Sequence, residues 1–323
     1  MIPTAHRYEI LDPRFRRLIH PLAQLDQICT GFTWTEGPVW FGDRGELVFS
    51  EIPSQTLYAW SPEGGLRTLR DATGFNNGNT RDRAGRLVGC RHGPRDVVRT
   101  EYDGTITVLA DAYDGARLNS PNDVVVSADG AVWFTDPTYG IISNFEGYRA
   151  TPEQTARHVF RIPPEGGAPV PVISDFTQPN GLCFSPDERV LYVAESGSSH
   201  DDTVPSVIRH YRIDDTGGQV SVTPLGDFAH VDCGLPDGIR CDTEGNLWSS
   251  AGDGVQCFAP DGTKLGKIFV PEAVANLCFG GPDGQRLYIT ASTSVYCIFV
   301  DVKGAEPWCR NAPATPGAGA RTL

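Results

Sequence analysis

Six short segments, spread along the chain, each open on a side chain whose oxygen can hold a cation. They are Glu36-Gly37-Pro38, Asn76-Asn77-Gly78, Asn122-Asp123-Val124, Asn180-Gly181-Leu182, Asp237-Gly238-Ile239 and Asn276-Leu277-Cys278. A ring of Glu, Asn, Asn and Asp oxygens suits a hard ion, since Ca2+ takes about 6–8 oxygen ligands drawn from carboxylates, amides and waters. With Glu36, Asn122, Asn180 and Asp237 as donors, two carboxylates balance one divalent ion and leave positions for water or substrate. Zinc more often uses His or Cys, and neither stands at the head of these segments. Taken singly, an Asn or Asp before Gly is an ordinary turn former; the set of four is what argues for a cation. Asn276, followed by Leu277, reads as a turn or channel residue.

Something must bring these distant residues together, and the chain supplies it by repetition. Helical periodicity is nearly absent; short Val/Ile/Leu/aromatic runs alternate with Gly, Pro, Asp and Asn. One joint recurs six times: Phe41-Gly42-Asp43-Arg44-Gly45, Asp82-Arg83-Ala84-Gly85, Ser127-Ala128-Asp129-Gly130, Ser185-Pro186-Asp187-Glu188, Asp242-Thr243-Glu244-Gly245 and Pro282-Asp283-Gly284. Six four-stranded units at a period of roughly 40–55 residues predict an all-β, six-bladed β-propeller with antiparallel blades. The innermost strand of each blade lines the central channel, so the six segment heads converge on its axis. The sixth unit lacks a fourth strand, and Leu25–Cys29 is expected to close the ring as that N-terminal strand, removing the exposed edge. The reading is one domain over 1–323, with a core of about 25–302. Residues 1 to about 20 and 311–323 are expected to be peripheral tails. Insertions at 138–157 and 197–206 follow second strands and are placed to shape the channel mouth.

The 323 residues carry 27 basic and 40 acidic side chains, a net charge of −13. That balance argues against nucleic acid or an anionic membrane as partner. At 40% hydrophobic residues the chain has material for a packed core, which excludes disorder. No run approaches ~18 consecutive apolar residues, and the N-terminus has no apolar signal core, so a cytoplasmic location is expected. The nine cysteines form no C-x-x-C pair and several sit inside apolar runs, reading as buried thiols in a reducing compartment. There is no Gly-x-Ser-x-Gly elbow, and His158, His210 and His230 form no metal-spaced pair.

The chain resembles the SMP-30/gluconolactonase-like family of six-bladed propeller hydrolases from about Thr33 to Val300. The likeness rests on Thr35-Glu36-Gly37-Pro38-Val39-Trp40, Asn77-Gly78-Asn79-Thr80-Arg81-Asp82, Ser120-Pro121-Asn122-Asp123-Val124, Trp133-Phe134-Thr135-Asp136-Pro137, Gln178-Pro179-Asn180-Gly181-Leu182 and Leu235-Pro236-Asp237-Gly238-Ile239, in order. The resemblance implies Glu36, Asn180 and Asp237 as a metal triad, with Asn122 as the fourth ligand of the phosphotriesterase and paraoxonase-like branches. Asn76 falls where animal members use an asparagine near the substrate. The arginine two residues before it is replaced by Gly74, so Asn77 and Arg91 or His92 are candidate substitutes. The implied reaction is hydrolysis of a sugar lactone, a small-molecule partner, with one divalent cation. Ca2+ is the first choice, with Zn2+, Mn2+ and Mg2+ also seen as compatible. The ion would polarise the ring carbonyl, and a carboxylate would take the proton of water. Asp237, or Asp136 at the end of the third blade's second strand, is the candidate base. Tyr139 and His92 are candidate contacts for substrate hydroxyls. A phosphotriesterase or aryl-esterase on the same metal site, and a non-catalytic binding propeller, are the competing readings; oligomeric state is open.

Overall fold

The computed structural model describes residues 7–216 and 219–310. Six sheets of antiparallel strands form the ring. The innermost strands are Thr35–Phe41, Asn76–Arg81, Val124–Val126, Pro179–Phe184, Ile239–Cys241 and Val274–Gly280. Each hydrogen-bonds to the second strand of its own blade, and two further strands lie outside. Successive side chains of a strand point to opposite faces, so Val124 packs toward the second blade while Val125 packs toward the fourth. The apolar core is accordingly six clusters, one in each seam between neighbouring blades. Both faces of the inner two strands of a blade are covered by its neighbours, which is why these strands read as unbroken apolar runs such as Val124-Val125-Val126 and Val132-Trp133-Phe134.

The repeated joints are tight turns in which five of six carry a glycine at positive φ, from Gly45 at 64° to Gly130 at 93°. The fourth joint places Glu188 in that left-handed region instead, at φ 57°. Its carboxylate accepts from Arg83 Nη2 at 2.9 Å and from the Ala128 amide at 2.6 Å, contacts that offset the backbone cost.

Ring closure is as expected: Asp26–Thr30 pairs with Ser294–Phe299 as the outer strand of the sixth blade. The segment before it is not a loose tail. Tyr8–Ile10 adds a fifth strand to the fifth blade, against Lys264–Phe269. The following 3-10 turn, Pro13–Arg17, drives Phe15 into the seam between blades five and six, fully buried beside Trp248. A Cβ on Gly266 would run into the Phe15 ring, so that glycine leaves the space the aromatic fills. The expected tail at 311–323 lies outside the described residues. All nine thiols are free. Among the described residues, no helix is long and apolar enough to cross a membrane.

Candidate active site at the channel mouth

The ladder between first and second strands is irregular at Glu36/Val39, Asn76/Asn79, Pro179/Leu182 and Val274/Asn276. Each irregularity sits at the mouth end of its inner strand, where a bulge re-aims a side chain. The residue after the site oxygen is glycine in four blades, and its function is close approach. A Cβ on Gly37 would strike the Asn77 carbonyl oxygen, and one on Gly78 the Asn122 carbonyl oxygen. The same holds for Gly181 against Asp237 and for Gly238 against Asn276. Bare glycines let neighbouring inner strands meet, and Gly78 N–H donates to Asn122 O at 2.8 Å and Gly181 N–H to Asp237 O at 3.1 Å.

Glu36, Asn77, Asn122, Asn180, Asp237 and Glu146 thereby face one cavity of ≈ 330 Å3. Tyr139 and Ser199, from the two inserted loops, form part of its wall, and Trp34, Leu235, Ala273 and Val274 give it an apolar side. Glu36 accepts from Gly37 N–H at 2.7 Å and from Asn276 Nδ2 at 3.0 Å, which gives Asn276 a place in the site. Burial raises the Glu36 carboxyl to about 8. Asp237 is pushed well above the usual carboxylate range, first by burial and then by repulsion from Glu36, Asp123 and Glu146. Asn180 Oδ1 is buried without a hydrogen-bond partner among the described residues. Two desolvated carboxylates and an orphaned amide oxygen on one cavity are what a hard cation relieves; the residues present fit such an ion. Among the described residues, no group of three or more His, Cys, Asp and Glu is gathered closely enough to hold a metal by itself; Glu36 and Asp237 share the cavity with the amides of Asn122 and Asn180.

Three expected site residues lie elsewhere. Asn76 points away from the cavity into the seam between the first two blades, donating to Ser50 Oγ at 3.0 Å and Asn79 Oδ1 at 2.9 Å. His92 is fully buried behind Asn77 and does not line the cavity. Its Nε2 is 3.2 Å from Asn77 Nδ2 and its Nδ1 is 2.9 Å from the Glu146 carbonyl oxygen. Burial lowers its pKa to about 4, so the ring is neutral. Asp136 is also fully buried and off the cavity, each carboxylate oxygen taken by one amide: Asn119 N–H at 2.8 Å and Ser120 N–H at 2.9 Å. It straps the loop that delivers Asn122 and does not line the cavity. Glu51 holds the Thr33 and Trp34 amides ahead of Glu36, and Glu195 holds those of Thr177 and Gln178 ahead of Asn180. An acid closing the second strand is thus a repeated positioning device, and its recurrence was present in Ser50-Glu51, Thr135-Asp136 and Ala194-Glu195.

Tyr139 reaches the cavity wall, but its hydroxyl is bonded to the Ser196 carbonyl and to Ser199 Oγ, both at 3.0 Å, tying the two inserted loops together. Glu146 was not anticipated. Burial raises its carboxyl to about 7, and no donor from the described residues holds it. The signal was an acid inside an insertion already assigned to the mouth. Below the site, Arg240 and Asp123, both buried, form an ion pair at 3.3 Å across the channel. A smaller cavity of ≈ 60 Å3 lies at the opposite end, lined in part by Cys183, Cys241, Glu306 and Trp308.

The SMP-30/gluconolactonase/LRE-like region is matched across residues 34–293. The chain is 34% identical to a gluconolactonase of Zymomonas mobilis over 304 residues, 88% of this chain and 83% of that one. It is 31% identical to the pentonolactonase XacC of Haloferax volcanii, covering 80% and 81% of the two chains. The solved gluconolactonase XC5397 of Xanthomonas campestris superposes with a TM-score of 0.84 at 37% identity, over 91% of this chain and 94% of that one.

Proposed function

The chain belongs to the SMP-30/gluconolactonase/LRE-like family, and on that premise we propose that it hydrolyses a sugar lactone to the aldonic acid with one divalent cation, Ca2+ first. That it is a lactone-hydrolysing enzyme follows from its likeness to gluconolactonases over about nine-tenths of its length. The observation that carries the finer reading is the cavity itself: Glu36, Asn122, Asn180 and Asp237 line one space, open at the channel mouth, that also has room for a small ring.

In this reading those four residues hold the ion. A divalent cation held there would supply positive charge beside the ester carbonyl of the substrate. Asp237 would be both ligand and proton acceptor; among the described residues no donor holds its carboxylate, which leaves an oxygen to take the proton of an attacking water. Glu146 faces the same space from the loop and accepts a hydroxyl of the substrate. The apolar side made by Trp34, Leu235 and Val274 packs against the carbon face of the ring and thins the water around the reacting ester.

A panel of aldonolactones, followed by a pH indicator after chelation and again after adding Ca2+, Mn2+, Mg2+ or Zn2+, tests the proposal. Cation-restored hydrolysis that is lost in Glu36→Gln and Asp237→Asn supports it. A folded protein inactive on every lactone with every cation overturns it.

A further inference from the structure

The orientation of the Asn77 amide is set by a chain of protons that begins on the inserted loop. A backbone carbonyl only accepts, so the 2.9 Å contact between His92 Nδ1 and Glu146 O requires the proton on Nδ1. The neutral ring then carries a lone pair on Nε2, and the 3.2 Å contact to Asn77 is Nδ2–H donating to it. One orientation of the amide remains: Oδ1 is turned away from the imidazole, buried and without a hydrogen-bond partner among the described residues, on a residue that lines the cavity. The imidazole cannot swing away. Its backbone N–H is bonded to Phe75 O at 3.0 Å, and the loop lies so close that a Cβ on Gly140 would enter the His92 ring.

We propose that His92 is a positioning residue that makes Asn77 present a bare acceptor, so that Asn77 Oδ1 and the Glu146 carboxylate select lactones bearing a ring hydroxyl able to donate to them. This rests on the lactonase reading above. A site built to accept from a hydroxyl rejects the analogue that lacks it, because the buried acceptor is left unpaired. The loop contributes twice, through the Glu146 carboxylate and through the Glu146 carbonyl that fixes the tautomer. Asn77 is assigned to the substrate and not to the cation, and the two assignments separate experimentally.

The test compares glucono-δ-lactone with δ-valerolactone, the same six-membered ester ring without hydroxyls, at saturating Ca2+. In His92→Phe the preference for the hydroxylated lactone, measured as the ratio of kcat/KM values, should fall about tenfold, the equivalent of one hydrogen bond. The change should lie mainly in KM, with Ca2+ affinity by calorimetry held. Asn77→Ala, which leaves the imidazole in place, should show the same loss of preference. Equal losses on both lactones would reduce His92 to a structural residue and overturn the proposal. A fall in Ca2+ affinity in Asn77→Ala would also overturn it, by making the amide a ligand. Independently of activity, 15N NMR of histidine-labelled protein, with His92 assigned through His92→Phe, should show the Nδ1–H tautomer; the Nε2–H tautomer overturns the relay. If the wild type hydrolyses neither lactone, the comparison moves to the best aldonolactone and cation of the panel above and the matching ring without hydroxyls; inactivity across the whole panel fails the lactonase reading, and the relay is then judged on the tautomer.

Discussion

Glu36 and Asp237 are carboxylates that burial and mutual repulsion keep protonated longer than usual when no cation is bound. The folded carboxyl of Glu36 titrates at about 8 against an ordinary 4.5. Between those values the folded state holds more protons than the unfolded chain, so stability falls as pH rises through the window. The chelated protein should therefore lose Tm from about pH 5 to pH 8, and Ca2+ should restore more of it at the upper end, because binding requires the deprotonated ligands. Glu36→Gln should flatten the pH dependence of the chelated protein and weaken Ca2+ binding by more than the ~10–100-fold typical of losing an outer partner. Calorimetry and melting at both pH values read this. Asp136→Asn behaves differently in this account: it loosens the loop before Asn122, so it should weaken Ca2+ binding while kcat at saturating Ca2+ stays within a few-fold of wild type. A kcat that collapses even at saturating Ca2+ would make Asp136 the base. The four ring oxygens could be read from the chain because a repeat fixes where each inner strand starts. Asn76 and Asn77 could not be told apart by spacing, since the bulge decides which amide faces the channel. Glu146 was hidden because nothing in a sequence says which residue of a twenty-residue insertion folds inward.

The inner strands owe their convergence to glycine. Gly181 has ordinary negative φ; what it provides is contact, since a side chain there would collide with the backbone of Asp237 on the next blade. Gly181→Ala should destabilise the protein by about 2–3 kcal/mol or more through overpacking, and should cut Ca2+ affinity because Asn180 and Asp237 are pushed apart. Unchanged melting and unchanged affinity would show that the blades have slack the close contact denies. These motifs looked like turns in the sequence, and Asn-Gly is a turn former in most settings. Here the same pair sits in a strand and serves inter-blade packing. The acids that close second strands were likewise legible as residues but not as a class, because hydrogen bonds from backbone amides leave no trace in composition.

The closed ring explains why the ends of the chain matter to a site far from them. The strand Asp26–Thr30 completes the sixth blade, and Phe15 seals the seam between the fifth and sixth, whose inner strands Ile239–Cys241 and Val274–Gly280 follow Asp237 and carry Asn276. Phe15→Ala should cost ~3–5 kcal/mol, the range for emptying a buried aromatic site, seen as a lower denaturation midpoint. A surface-like cost below ~0.5 kcal/mol would restore the view of this segment as a loose tail. The propeller, its closure and the mouth insertions were all readable from six repeated joints. The fifth-blade addition was not, because Tyr8–Ile10 is only three residues long and carries no pattern of its own. The central claim is that one ion, held by Glu36, Asn122, Asn180 and Asp237, is needed for lactone hydrolysis. Titrating Ca2+ into the chelated protein while following hydrolysis in the same sample tests it most directly. The account predicts no activity at the start, a rise that tracks the binding of one ion per chain, and neither binding nor activity in Glu36→Gln. Full hydrolysis by the chelated protein, or activity that climbs with Ca2+ unaltered in Glu36→Gln, would contradict it.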